Sequence, residues 1–316
     1  MKNNSIYLLL IAITISFTIL LSNNISFLSS YSQNTTSTKT TTINNLNLFS
    51  IPANKTKVGD IDIGYKKIGV GPPILLITGF SASMNNWPPT LISNLSKHHT
   101  VYIFDNRGIG NTTLGYKNFT NDQFTQDTLG LMNALNISKA DIIGFSMGGF
   151  IAQDIALTNP LKINKLVMYA TVCGGPESTP LNKNLTYITQ NSKNTTEFYR
   201  GLIPLIFPKE FVDKIPDFIV TAAKTFPLDT PMNTLRNQYS AVNLWYNTGV
   251  CNQLGKIDIP TLIIVGTKDI LTPPVNSLMM TEKIPDSWLI RIQGGGHAVM
   301  AQNDSKIATI SEAFMN

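Results

Sequence analysis

Between Ala140 and Gly149 the chain reads Ala-Asp-Ile-Ile-Gly-Phe-Ser-Met-Gly-Gly, and an apolar stretch then continues until Asn159-Pro160. A short, uninterrupted apolar run bounded by glycine is the pattern of a strand covered on both faces. The stretch beginning at Met147 has helical character and ends where proline forbids continuation. Strand and helix are therefore joined by a turn of almost no length, with Ser146 at its tip. Gly144 and Gly148 flank that tip where a Cβ would collide with the neighbouring strand or helix, and the serine itself occupies a strained backbone region. Such a junction belongs to a sheet with helices on both faces, and it holds Ser146 out at the sheet's carboxyl edge.

The rest of the chain agrees with that class. From Val58 onward, short apolar runs alternate with longer helix-like segments, which predicts an α/β fold with a mostly parallel central sheet. Val58 to Gly69 alternates around Ile61, Ile63, Tyr65 and Ile68 and suits an antiparallel hairpin at a sheet edge. Buried strands are expected at Ile74 to Ile77, Val101 to Phe104, Ile142 to Ile143, Leu166 to Tyr169 and Leu262 to Val265, with a last strand at Trp288 to Ile292. Thr120 and Gln123 form a capping box ahead of Phe124, Leu131, Met132 and Leu135. Residues 58–173 and 252–316 thus make up the core. The segment 174–251 is too long for one crossover and is expected to be a helical cap insertion. It carries Phe198, Tyr199, Phe207, Phe211, Phe218, Phe226, Tyr239, Trp245 and Tyr246, which either line a pocket or form the cap's own core.

Composition narrows the possible partners. The chain is 43% hydrophobic and 14% charged, which argues against disorder, and its net charge of +5 comes from basic residues scattered singly rather than gathered into a phosphate-binding stripe. Nucleic acid is not an expected partner. Two cysteines and three histidines, two of them the adjacent His98 and His99, supply no spaced ligand set for a metal. Both of those histidines precede a strand and read as surface residues at the far end of the sheet. Ile6 to Leu21 is an uncharged apolar run after Lys2 that reads as an export signal, within residues 1–32, with Ser30-Tyr31-Ser32 as a cleavage site. Weakly apolar residues up to Leu28 would let it serve instead as an uncleaved membrane anchor. Residues 33–57, rich in Ser, Thr and Asn, are expected to form a solvated spacer.

A serine hydroxyl is a weak nucleophile until a base, usually a histidine oriented by a carboxylate, removes its proton. His297 follows the last strand and Gly294-Gly295-Gly296, so it can reach the edge that carries Ser146. Asp269 ends the strand Thr261 to Val265 region at that same edge and is the expected acid, its competing role being to cap the helix that starts near Pro273. Glu177 is the reserve.

With Gly-x-Ser-x-Gly in a strand–turn–helix context and the chain order Ser146, Asp269, His297, the sequence from about Val58 to the C-terminus resembles the α/β-hydrolase superfamily, in its serine-nucleophile, capped branch. Phe104-Asp-Asn-Arg-Gly-Ile-Gly110 is similar to that family's Asp-x-Arg-Gly-x-Gly loop, which is mostly architectural. The resemblance implies an oxyanion hole built from the backbone N–H groups of Phe80 and Met147, although Thr78-Gly79 stands where many relatives carry His-Gly. It also implies a cofactor-free reaction through an acyl-enzyme. The expected substrate is a small, mostly apolar carboxylic ester or lactone. Carbon–carbon or amide hydrolysis, acyl transfer, perhydrolysis on the same three residues, and a receptor-like role with little turnover remain open alternatives. Cys173 and Cys251 flank the cap, and export would permit a disulfide between them if their Cα atoms lie within about 7 Å.

Overall fold

A computed structural model describes residues 46–214 and 226–316. The apolar run Ile6 to Leu21, the cleavage site, the first part of the spacer and Phe218 of the cap lie outside the described residues. Among the described residues, no helix is long and apolar enough to cross a membrane.

Eight strands form one sheet: β1 (Asn54–Val58), β2 (Ile61–Ile68), β3 (Pro73–Ile77), β4 (Thr100–Phe104), β5 (Ala140–Phe145), β6 (Ile163–Tyr169), β7 (Thr261–Gly266) and β8 (Ser287–Ile292). Their order is β1-β2-β4-β3-β5-β6-β7-β8. The first two make the expected edge hairpin, and β2 pairs antiparallel with β4. Every later pairing is parallel, which requires crossovers that lay helices on both faces. The fold class is therefore α/β as expected.

Period-two alternation divides each buried strand between two cores. Leu75, Ile77, Ile142, Leu166, Met168 and Ile263 face one side, where they meet Phe124, Leu131 and Met132 of the helix Asn121–Ala134 and Phe150 and Ile151 of the helix Met147–Thr158. Ile74, Leu76, Ile143, Val167, Tyr169, Leu262 and Ile264 face the other, against Leu91, Ile92 and Leu95 of the helix Pro89–Leu95 and Ile307 and Ala308 of the helix Asp304–Met315. Neither strand face sees water, which is why the runs read as continuously apolar.

Three local details differ from the sequence expectation. Regular structure is present before Val58: β1 begins at Asn54, and Leu48 is buried in the core on the face of Ile74 and Leu76, with Ile51 and Ala53 packed against that core. Part of the stretch whose polar composition suggested a spacer is thus anchored by its few apolar side chains. Thr120 accepts the Gln123 N–H at 3.1 Å as the cap requires, but Gln123 does not return the bond; its Nε2 donates instead to Asp127 Oδ1 at 2.8 Å. His99 is buried rather than superficial, tucked under the amino end of β4 beside Asp141, whereas His98 is exposed.

Among the described residues of 174–251, four helices, Lys183–Asn191, Thr195–Ile206, Lys209–Val212 and Met232–Thr248, lie between β6 and β7. Cys173 and Cys251 are joined by a disulfide with Cα atoms 4.9 Å apart. Trp245 stacks on Phe150 with ring centroids 5.2 Å apart and donates its indole N–H to Val172 O, seating the cap on the core helix.

Candidate active site

The sharp turn at Ser146 is built as its sequence required. Ser146 has φ 52° and ψ −115°, a conformation that L residues avoid and that a surrounding framework must enforce. Its N–H donates to Tyr169 O at 2.9 Å and its carbonyl accepts the Thr171 hydroxyl at 2.8 Å, so the end of β6 and the residues just after it clamp the turn from one side. A Cβ on Gly148 would run into the carbonyl of Ile77 in β3, and one on Gly144 would meet the backbone of Gly148 and Gly149. Glycine is obligatory at both positions because the obstacle is main chain, which cannot rotate away.

His297 reaches Ser146 over the sheet edge. Its Nε2 lies 2.9 Å from Ser146 Oγ, and its Nδ1 lies 2.9 Å from Asp269 Oδ2 and 3.2 Å from Oδ1. The loop that delivers it is braced: Lys268 N–H donates to Gly295 O at 2.7 Å, and Ala298 N–H donates to Ile206 O of the cap at 3.0 Å. Asp269 and His297 are buried, so their attraction acts with little water to screen it.

Asp269 is not the N-cap of the helix Pro274–Lys283, whose N-cap is Pro273. Instead its Oδ1 accepts the N–H groups of Leu271 and Thr272, each at 2.9 Å, and its Oδ2 accepts the Thr272 hydroxyl at 2.6 Å. These donors satisfy a buried carboxylate and fix its orientation toward His297. Thr272 was not foreseen; its only sequence signal is its place three residues after Asp269, in the turn that closes around that carboxylate. Glu177 is not part of the site and pairs with Lys283 at 2.7 Å on the surface.

Met147 opens the helix Met147–Thr158, where the first N–H groups have no intrahelical acceptor and the positive end of the helix dipole faces the serine. Gly79 presses against the same serine from the other side: a Cβ there would sit 3.1 Å from Ser146 Cβ. Phe80 follows directly, so the two backbones proposed to cradle negative charge converge on Ser146.

The pocket above these residues is a cavity of about 160 Å³ lined by Phe80, Phe145, Phe150, Phe207, Phe226 and Tyr246 among others, together with Ser146 and His297. Among the described residues, no Asp, Glu, Lys or Arg lines it. Burial, with the Asp269 charge behind it, pushes the Tyr246 phenol above its ordinary pKa, so it stays a neutral donor, to Leu271 O at 3.1 Å. The cap aromatics divide their labour. Phe207, Phe226 and Tyr246 line the cavity, while Phe198, Tyr199, Tyr239 and Trp245 pack inside the cap or between cap and core. Among the described residues, no group of three or more His, Cys, Asp or Glu could hold a metal ion.

Comparison with known proteins agrees with this architecture. The 2-hydroxy-6-oxo-6-(2'-aminophenyl)hexa-2,4-dienoic acid hydrolase of Metapseudomonas resinovorans is 26% identical over 267 residues, which span 82% of this chain and 89% of that protein. Two solved structures have the same fold: the enol-lactonase of Burkholderia xenovorans LB400, with a TM-score of 0.74 at 20% identity over 83% of this chain and 99% of that one, and the bromoperoxidase of Bacillus anthracis, with a TM-score of 0.74 at 24% identity over 83% and 99%. The family model for the alpha/beta hydrolase fold matches residues 72–304, a span that includes Phe80, Ser146, Asp269 and His297. The chain belongs to the alpha/beta hydrolase fold family.

Proposed function

We propose that this protein is an exported serine hydrolase that cleaves a small, mostly apolar and uncharged carboxylic ester or lactone. His297 Nε2 takes the Ser146 proton as Oγ attacks the substrate carbonyl, and Asp269 holds the imidazole in the required tautomer and stabilises its charge. The N–H groups of Phe80 and Met147 receive the oxyanion. His297 then passes the proton to the leaving alcohol, and water repeats the sequence to release the acid and free the serine. No step calls for a cofactor.

The observation that carries this reading is the continuous chain Ser146–His297–Asp269, with 2.9 Å at each link, opening into a pocket without a charged wall residue among the described ones. That wall favours the ester reading over its nearest rival: a dienoic acid, the substrate class in the name of the relative from Metapseudomonas resinovorans, brings a carboxylate that this pocket meets with no Lys or Arg among the described residues. Export is supported by the apolar run at Ile6 to Leu21 and by the Cys173–Cys251 bond, since disulfides persist mainly in oxidising compartments. An uncleaved run would tether the enzyme to a membrane.

The test is a panel of neutral esters and lactones of graded acyl length, with and without peroxide and alcohol acceptors, run alongside intact-mass detection of an acyl group on Ser146. Turnover of short or medium neutral esters with a trapped Ser146 adduct is the expected result. Failure of every ester and lactone, with carbon–carbon, amide or peroxide-dependent activity in their place, would overturn the substrate class; a Ser146→Ala variant with full turnover would overturn the mechanism.

A further inference from the structure

The residue after Phe80 is held in a way that ordinary packing does not require. Ser81 is a non-glycine residue at φ +61°, and it is buried. Its peptide groups are taken up by the cap from both sides. Ser81 N–H donates to Gln238 Oε1 at 2.9 Å, and Ser81 O accepts the Tyr199 hydroxyl at 2.6 Å. The immediate neighbours of those two cap residues hold the ring of Phe80: Phe198 meets it edge-on with centroids 5.8 Å apart, and Tyr239 lies 6.2 Å away. Residue pairs 198–199 and 238–239, on two different cap helices, thus grip the Phe80 ring and the Ser81 peptide together.

This grip is maintained against two opposing penalties. A left-handed conformation at a residue with a Cβ is strained, because the Cβ crowds the following carbonyl oxygen. Gln238 is fully buried, and its Nε2 has no hydrogen-bond partner among the described residues. Flipping the amide would only set that N–H against the Ser81 N–H. An unpaired buried donor forfeits its hydration with nothing in return, so the arrangement is sustained for the acceptor it offers to Ser81.

We propose that Gln238 and Tyr199 are positioning residues for the oxyanion hole: by fixing the Ser81 peptide they aim the preceding Phe80 N–H at the position where the oxyanion forms. This rests on the hydrolase reading given above. The cap is then part of the catalytic machinery's framework and not only a cover over the pocket. A hydrogen bond to developing charge is lost with small misplacement, so loosening Ser81 acts on the transition state while leaving ground-state binding alone. Burial holds the Tyr199 hydroxyl well above its ordinary pKa, which keeps it a donor at all working pH values.

The test uses the full chain with Gln238→Leu, Gln238→Glu and Tyr199→Phe, a neutral p-nitrophenyl ester, an alkyl trifluoromethyl ketone that forms an oxyanion on Ser146, and an alkyl ether of similar shape that cannot. Gln238→Leu is expected to lower kcat about 10²-fold and Tyr199→Phe about tenfold, with KM and ether binding within about threefold of the parent. Affinity for the ketone should fall by the same factor as kcat/KM. Gln238→Glu, whose carboxyl carbonyl can still accept the Ser81 N–H, should recover kcat to within about threefold. Tyr199→Phe removes a single oxygen and carries the test alone if Gln238→Leu does not fold. Unchanged kcat in the variants, losses confined to KM and ether binding, or a Gln238→Glu enzyme as impaired as Gln238→Leu would overturn the proposal while the parent enzyme's activity left the hydrolase reading standing. A parent enzyme inert to every ester and to the ketone would overturn both.

Discussion

The two backbones that face Ser146 are held by opposite strategies. Met147 is placed by its own neighbours in sequence: β5 ends at Phe145, the turn closes on Gly144 and Gly148, and the helix begins at once. Phe80 sits in a loop after β3 that has no such local support, and its position is set by side chains 118 and 157 residues from Ser81 in the cap. From beneath, Asp105 accepts the Met84 N–H at 2.6 Å and Asn106 Nδ2 donates to Thr78 O at 3.1 Å, so the loop is held between cap and core. One half of the site is therefore as rigid as the sheet, whereas the other depends on the cap staying docked.

The largest effects should come from the half that the sheet fixes, because no rearrangement elsewhere can compensate there. Ser146→Ala removes the proposed nucleophile and is expected to lower kcat about 10⁵- to 10⁶-fold while the protein stays folded, as checked by steady-state kinetics and circular dichroism. Asp269→Asn should follow, with a loss of about 10⁴-fold, because an amide facing His297 Nδ1 favours the wrong tautomer even if geometry is kept. A variant of either kind that retained a tenth of parental turnover would break the assignment of the site.

The same contrast explains what could be read from the sequence. β5, the turn and the helix after it are contiguous, so the apolar run, the glycines and Pro160 specify them together. His297 was legible because a strand and three glycines deliver it to the right edge, and Asp269 because it ends a buried strand. Tyr199 was legible only as one of the cap aromatics and Gln238 not at all, since each acts through a contact that exists only after the chain has folded. Thr272 offered no more than its place three residues after Asp269. The capping box at Thr120 was half right for a related reason. Gln123 has a stronger claim on it in space, the carboxylate of Asp127, which is held in place by Arg107 at 2.8 Å. His99 misled because burial at a sheet's amino end depends on what the neighbouring strand brings there.

The Cys173–Cys251 bond offers a way to separate cap docking from cap tethering. It closes a loop of 78 residues, for which the chain-entropy model gives about 4.5 kcal/mol of stabilisation. Replacing both cysteines by serine should lower the denaturation midpoint accordingly. Kcat at 25 °C is expected to stay within about threefold of the parent, because Tyr199, Gln238 and the Ala298–Ile206 backbone bond hold the cap in the folded state without it. A large fall in kcat with native stability preserved would mean that the junction, and not the grip on Ser81, positions the loop.

The smallest expected effect concerns the support beneath Phe80. Arg107 is buried and pairs bidentately with Asp60, at 2.8 and 2.9 Å, and with Asp127, at 2.9 and 2.8 Å, pinning the loop from which Asp105 and Asn106 reach up. The Arg107 hydrogen bonds hold the Asp60 carboxyl far below its ordinary value of 3.8, with the N–H groups of Lys117 and Tyr116 adding to the shift. A depressed folded-state pKa means that the stabilisation is complete above 3.8 and drains away as pH falls below it toward the folded value. Asp60→Asn should therefore cost about 3 kcal/mol at neutral pH, the cost of leaving a buried guanidinium with one carboxylate fewer. The gap between parent and variant, followed by urea unfolding from pH 7 downward, should hold level to about pH 4 and then narrow, because the parent alone must protonate Asp60. A gap independent of pH down to about pH 2 would show that the pair contributes through shape and not charge, and that the underside of the loop carrying Phe80 rests on packing.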